Sequence, residues 1–381
     1  MAKFIMKNLS GQTLISSFQT IHDPRVLGRV KYPLIEIIII TLCAIMSGTN
    51  KWNTIAIYAE NNIDWFKQFL ELEHGIPSEK TFSRVFALVC PQDFIKAFSL
   101  WAKTVCHSLN GKLVAIDGKT VRGSHNYQKD VKALHLINAY VNSEKLMIDC
   151  ENTPSKSNEI KGIPILLKRL NLDGALVSID AMGCQKGIAN LIKLKKADYC
   201  LALKANHKGM YKKVVNLFSK ADNLNYEAMV YKSKITTDIG HSRYETREYK
   251  ILPLMYMPQF QKHWRGLQNF VEVTSMRYLN GKASISKRYY ISSLQLKDSE
   301  RIIKSIREHW GIENSLHYKL DVGFEEDKSR IFNPNAAMNF STLRKLALAW
   351  LERTGDDGDS IETKLWKNLL NINNLESVVG F

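Results

Sequence analysis

Two aspartates in this 381-residue chain follow short apolar runs in the same way. Val114-Ala115-Ile116-Asp117-Gly118 and Val177-Ser178-Ile179-Asp180-Ala181 each carry a carboxylate directly after strand-forming residues. If the two runs are neighbouring strands, both carboxylates lie at one edge of a sheet. There they repel each other, and each costs free energy to desolvate. A divalent cation removes both costs, and hard oxygen ligands with open positions suit Mg²⁺ or Mn²⁺. A third acid, Glu313, falls at helical spacing on an apolar face running through Ile302, Ile306, Trp310, Leu316 and Leu320. A glutamate facing a core is costly without a partner. Asp117, Asp180 and Glu313 together could hold two metal ions about 4 Å apart, one activating water or a 3′-hydroxyl and the other stabilising the leaving 3′-oxygen. Each acid also has a plainer account. Asp-Gly is a common turn, Asp is a common helix N-cap, and Glu313 could sit in a buried salt bridge.

Other chemistries fit less well. Gly118-Lys119-Thr120 mimics the tail of a phosphate-binding loop, but the nearest upstream glycine, Gly111, is seven positions before Gly118 instead of five. No H-E-x-x-H or G-x-S-x-G motif occurs, and the ten histidines show no metal-ligand spacing. The six cysteines form no C-x-x-C pair, so they read as buried free thiols in a reducing cytoplasm.

The elements that must position these acids alternate in type. Residues 1–110 read as helical. Leu34 to Met46 is a core helix between Pro33 and Gly48, and a second helix runs from about Asn53 to Glu71. Ser78 caps a further helix that buries Phe82, Val85, Phe86 and Val89. Thr81, Ser83 and Arg84 lie on its exposed sides, the pattern of a DNA-reading helix-turn-helix or of any helical hairpin. From Lys112 the order becomes strand (to Ile116), strand (Leu134–Val141), strand (Leu146–Cys150), helix (Asn158–Leu170), strand (Ala175–Ile179), helix (Cys184–Lys195), strand (Ala197–Leu203). That order describes an α/β fold, a mixed sheet covered by helices. Residues 205–295 read as a β-rich insertion, with strands at Ser233–Thr237, Tyr244–Ile251, Phe270–Tyr278 and Ser286–Ser292. A strongly periodic helix follows from Ser299 to Leu320, then one over Ala336–Leu351. Gly355–Ser360 is a loop before a small helical tail. Five segments result: 1–110, 111–204, 205–295, 296–354 and 355–381.

The net charge of +16 points to a polyanionic partner, with nucleic acid ahead of an acidic membrane surface. The start of the chain reads as no signal peptide. The apolar run Ile37 to Met46 is too short for a bilayer span, which needs about 20 residues. Between Lys186 and Lys213 eight lysines face one acid, Asp198, and Lys186, Lys204 and Lys208 flank the implied active edge. Phosphate contact is their natural use, and a solvated lysine-rich face is the alternative. Trp264, Tyr289 and Tyr290 offer the insertion aromatic surface for base stacking or for core packing.

Assembled, these residues resemble the bacterial insertion-sequence transposases of the H-repeat-associated branch, found beside Rhs elements. The resemblance rests on His22-Asp23-Pro24-Arg25, Ile116-Asp117-Gly118-Lys119, Lys156-Ser157-Asn158-Glu159-Ile160, Ile179-Asp180-Ala181-Met182-Gly183-Cys184-Gln185, Ala197-Asp198-Tyr199 and Leu203-Lys204-Ala205-Asn206. It extends through His309-Trp310-Gly311-Ile312-Glu313-Asn314 and the run Leu320 to Asp327. It implies an RNase H-like core with a DDE triad, a β-rich insertion before the glutamate helix, and cut-and-paste transposition at inverted repeats. Carried over, the triad is Asp117, Asp180 and Glu313. One departure stands out. Related transposases carry Y-x-x-R-x-x-x-E-x-x-x-x-x-x-K, and the Tyr, Arg and Lys positions are here Ile306, His309 and Leu320.

The resulting expectation is a helical DNA-end-binding domain followed by a catalytic core using Mg²⁺ or Mn²⁺. The partners are double-stranded transposon ends and target DNA, with a dimer on DNA and no membrane. Location in the cytoplasm at the nucleoid follows. Lys119, Lys204 and His309 are expected to touch phosphates, with Arg84 and Thr81 on the N-terminal DNA-facing helix. The rival readings are a nuclease of the same fold that does not transpose and a catalytically silent DNA-binding descendant.

Overall fold

The computed structural model describes residues 11–26, 28–126, 128, 130–154, 158–240, 243–279, 281–354 and 358–379. The expected reading of residues 1–10, the Lys156-Ser157 part of one motif and the Gly355–Asp357 part of the expected loop fall outside them. Among the described residues there are nine strands: β1 (Leu113–Val121), β2 (Leu134–Val141), β3 (Leu146–Thr153), β4 (Leu176–Ile179), β5 (Asp198–Leu203), β6 (Lys232–Gly240), β7 (Arg243–Pro253), β8 (Asn269–Leu279) and β9 (Lys282–Ser292). They form one mixed sheet in the order β3-β2-β1-β4-β5-β9-β8-β7-β6. β1, β4 and β5 run parallel, whereas β5–β9 and the β6–β9 meander pair antiparallel. With its flanking helices and N-terminal helical region, this is the expected α/β mixed sheet, consistent with an RNase H-like fold.

By its internal contacts the chain divides into two compact units, Met1–Ser108 with Gly118–Asn158 and Ile312–Phe381, and Leu109–Asp117 with Glu159–Gly311. In the first unit the helix Pro334–Leu351 is buried from Ala336 to Leu351. It packs on the helices Leu34–Met46, Glu79–Leu88 and Pro91–Val105 and on β2 and β3. An all-round apolar sequence explains Leu34–Met46, which has partners on every side and so buries 12 of its 13 residues. The expected helix over Asn53–Glu71 is broken at Asn62 into Trp52–Asn61 and the short helix Ile63–Phe66, because the Asn62 side chain donates to the Tyr58 carbonyl at 2.8 Å and takes the place of a helical N–H. Ser78 caps Glu79–Leu88, accepting from Thr81 N–H, and Phe82, Val85 and Phe86 are buried as expected. No single helix among the described residues is long and apolar enough to cross a membrane.

In the second unit the helix Ser299–Glu308 lays Ile302, Ile303 and Ile306 on a cluster of Leu176, Cys200, Tyr249, Ile251, Val271 and Val273. Residues 205–295 depart from the β-rich reading at their start. Lys208–Asn223 is a helix, burying Met210, Val214, Phe218 and Ala221 at helical spacing. The strands that follow extend the same sheet through β9, paired to β5 from Cys200–Ser292 to Leu203–Tyr289.

Candidate active site

Parallel pairing of β1 with β4 runs from Leu113–Leu176 to Ile116–Ile179. One residue further on, Asp117 and Asp180 follow their last registered neighbours side by side. Asp117 is not the end of its strand, as the sequence suggested, because β1 continues to Val121. It lies where β4 stops, so the expected carboxylate pair at one edge is present. Both side chains are half-buried.

The loop after β4 is held tightly. Asp180 Oδ1 accepts from the N–H groups of Met182 at 3.0 Å and Gly183 at 3.3 Å. Asn206 donates to the Ala181 carbonyl at 2.6 Å, and His207 Nε2 lies 2.5 Å from the Cys184 carbonyl. A Cβ on Gly183 would stand 2.2 Å from Ile179 Cγ2 and 3.0 Å from Ile163 Cδ1, so only glycine fits there. Burial pushes the Asp180 carboxyl above its usual value of 3.8. The nearby Glu159 charge adds to that rise, and the loop N–H groups and Lys204 oppose it. Glu159 itself is buried at the start of the helix Glu159–Arg169.

This donor set fits a hard divalent cation: two neighbouring carboxylates, one of them penalised by burial and by a second acid. Among the described residues, however, no three His, Cys, Asp or Glu side chains are gathered closely enough to hold a metal ion. Glu313 belongs to the first unit. It is exposed and off the apolar face expected for it. The expected helix over Ser299–Leu320 is broken. It ends at Glu308 and resumes, after a turn at His309-Trp310, as a π-helical turn Ile312–His317 and a short helix Tyr318–Gly323. The wider π turn shifts the register, burying Ile312, Leu316 and Leu320 and turning Glu313 outward. Such turns recur at functional sites.

Two expected phosphate contacts are spoken for otherwise. Lys119 is only 7% exposed, and its Nζ lies 2.6 Å from Asp321, 3.5 Å from Asp327 and 3.9 Å from Glu326. Its charge is used internally. His309 Nδ1 shares a 2.9 Å hydrogen bond with Ser178 Oγ, and burial lowers its pKa from 6.5 to about 4. The ring is neutral at pH 7 and carries no charge for a phosphate. A folded-state pKa below the unfolded one means that this part of the stability is complete above about pH 6.5 and lost as pH falls through 4. Urea unfolding between pH 7 and 4 should show the parent losing more stability than His309→Gln; equal losses would contradict this. Lys204, Lys186 and Lys208 are exposed, as is Arg84, while Thr81 is half-buried with its hydroxyl 3.1 Å from Ser78 Oγ. Trp264 and Tyr289 are core residues.

Sequence reading did not find Glu159, the Asn206–His207 clamp or the acids around Lys119. Glu159, Asn206 and the acids lie in motifs that carried the resemblance, yet nothing local to those motifs reveals their partners.

Comparison with known proteins decides the family. Residues 109–350 match the family described as "Transposase DDE domain", and residues 15–102 match a second, "DDE_Tnp_1-associated". The chain belongs to the DDE transposase family. Asp117, Asp180 and Glu313 all fall within the matched domain. Similar proteins include "Putative transposase YncI" of Escherichia coli O157:H7, 37% identical over 98% of this chain and 95% of its own length. Another is "H repeat-associated putative transposase YhhI" of Escherichia coli K12, 33% identical over 96% and 97%. The resemblance to the H-repeat-associated branch therefore holds over nearly the whole of this transposase-family chain.

Proposed function

We propose that this protein is a DNA transposase that hydrolyses the ends of its element and joins the freed 3′-hydroxyls to target DNA, using Mg²⁺ or Mn²⁺. The observation that carries the reading is the β1–β4 register, which sets Asp117 beside Asp180 within the family's catalytic domain. Asp117 and Asp180 supply carboxylates from rigid neighbouring strands, and Glu313 supplies the third acid from its exposed π turn. Bound divalent ions would neutralise the phosphate and activate the attacking hydroxyl. Lys204, with Lys186 and Lys208, holds the DNA backbone near Asp180. Arg84 and Thr81 lie on the helix that meets the terminal repeat, and two copies act on the two ends. The protein works at the nucleoid in the cytoplasm.

The test uses the full chain and duplex oligonucleotides copied from the inverted repeats flanking its gene. With Mg²⁺ or Mn²⁺, we expect strand cleavage at the repeat ends and covalent joining of pre-cut ends to a plasmid. Cleavage without joining would reduce the protein to a nuclease. Binding with no cleavage under either ion would leave a DNA-binding protein only.

A further inference from the structure

The outer half of the β6–β9 meander is two-faced. Successive strand residues point to opposite sides, so the registers define the faces. One face carries the rows Ile239–Tyr244–Tyr278–Ala283 and Thr237–Thr246–Met276–Ile285, with Ile235 beyond them. Ile235 is 64% exposed, Ile239 81% and Ile285 67%, and Met276, Tyr244 and Tyr278 are each about half exposed. The helix Lys208–Asn223 covers only the inner part of this face, through Phe218 against Tyr289 and Asp222 against Lys250 and Lys287. The opposite face is charged and internally paired. Arg247 bridges Asp238 and Glu245, Arg277 reaches Glu245 at 3.6 Å, and Arg307 reaches Asp238 at 3.1 Å. One side of the ribbon is therefore satisfied, and the other presents bare apolar side chains to water.

We infer that this apolar face is an interface between two copies of this chain, packed sheet on sheet about a twofold axis. This goes beyond the proposed function, which requires two copies only on DNA. Three observations favour a second copy. First, the six large side chains expose on the order of 600–700 Å² on one copy, close to the roughly 800 Å² per partner of a stable complex and above what monomers ordinarily leave bare. Second, the two outer rows contain no charged residue, so they offer nothing to a phosphate backbone even in a chain of net charge +16. Third, the charges at the inner border of the patch are matched within the copy, Glu248 by Lys250 at 3.6 Å and Lys287 by Asp222 at 3.4 Å and Glu272 at 3.1 Å, so neither opposes the approach of a second copy.

The experiment measures the mass of the full chain in solution by light scattering and sedimentation, without DNA, across protein concentrations up to about 20 µM. The expected result is a dimer in the parent and a monomer in Ile239→Glu/Ile285→Glu, with a dissociation constant raised at least about 100-fold. Circular dichroism should match the parent, and the melting temperatures should converge at concentrations too low for the parent to dimerise, because both side chains are exposed. A parent that stays monomeric, or a double variant that dimerises as before, overturns the inference. So does a monomeric parent whose affinity for single-stranded oligonucleotides falls in Tyr244→Ala/Tyr278→Ala, which would assign the face to base stacking. Cleavage of pre-formed end duplexes, assayed alongside, separates failure of this interface from failure of the transposase reading.

Discussion

Asp180→Asn should melt at a higher temperature than the parent in metal-free buffer, yet cleave transposon ends at least about 10³-fold more slowly. The first half follows from electrostatics. Burial and the neighbouring Glu159 charge raise the Asp180 carboxyl above 3.8. A group whose folded pKa is raised contributes stability below its unfolded pKa and loses it as pH rises through the folded value. At neutral pH the ionised side chain is therefore a burden on the fold. Asparagine lifts that burden and keeps an oxygen for the Met182 and Gly183 N–H groups. The second half follows from the proposed metal role, since a neutral amide binds a divalent ion far less well than a carboxylate. Thermal scans with and without Mg²⁺ join the two halves. The parent should gain stability from the ion by mass action, and the variant should not. An equal gain in both, together with unchanged cleavage, would remove Asp180 from the metal-binding set.

Lys119→Met should lose about 3–5 kcal/mol of unfolding free energy, the usual result of removing one member of a buried ionic cluster. Lys119 stands among Asp321, Asp327 and the fully buried Glu326. The other Glu326 oxygen accepts from Ser341 at 2.7 Å, and Arg344 nearby is buried deeply enough for its pKa to fall to about 10. Without Lys119, three carboxylates crowd a site where one is wholly shielded from water. Urea denaturation gives the number, and Lys119→Met/Glu326→Gln should recover a good part of it. A loss below about 1 kcal/mol in the single variant would mean that solvent, and not Lys119, balances those acids. The same cluster fixes the turn at Glu326–Lys328 against the chain after β1. A Cβ on Gly123 would lie 2.6 Å from the Ser329 carbonyl oxygen and 2.7 Å from that of Asp327. The pieces meet backbone to backbone.

Much of the scaffold was legible from short-range pattern. The limits of Leu34–Met46 and of β2 follow from largely apolar runs with clear stops, and the β-β-β-α-β-α-β order was readable because each run is brief and bounded. Asp117 and Asp180 were legible as a pair for the same reason: matching runs before them imply matching strands. What escaped depended on distance in the chain or on local competition. The lysines of Lys208–Asn223 read as a basic patch and hid the spacing of Met210, Val214, Phe218 and Ala221. Lys119 looked available because its partners lie about 200 residues away. His309 looked cationic because nothing beside it in sequence reveals that Ser178 and burial hold it neutral. Glu313 was assigned a face by extrapolating 3.6-residue periodicity across His309-Trp310, where the helix breaks and the π turn that follows resets the phase.

The brevity of β4 has a consequence for changes in chain length. It offers four residues, Leu176 to Ile179, and each is in register with β1. Inserting or deleting one codon there would slide Asp180 past Asp117 and swap every inward side chain for an outward one. The surface turns tolerate length changes, because they need only rejoin their ends. Changed turn lengths should therefore leave the sheet register intact, whereas one residue more or less between the apolar run of β4 and its acid would part the two carboxylates.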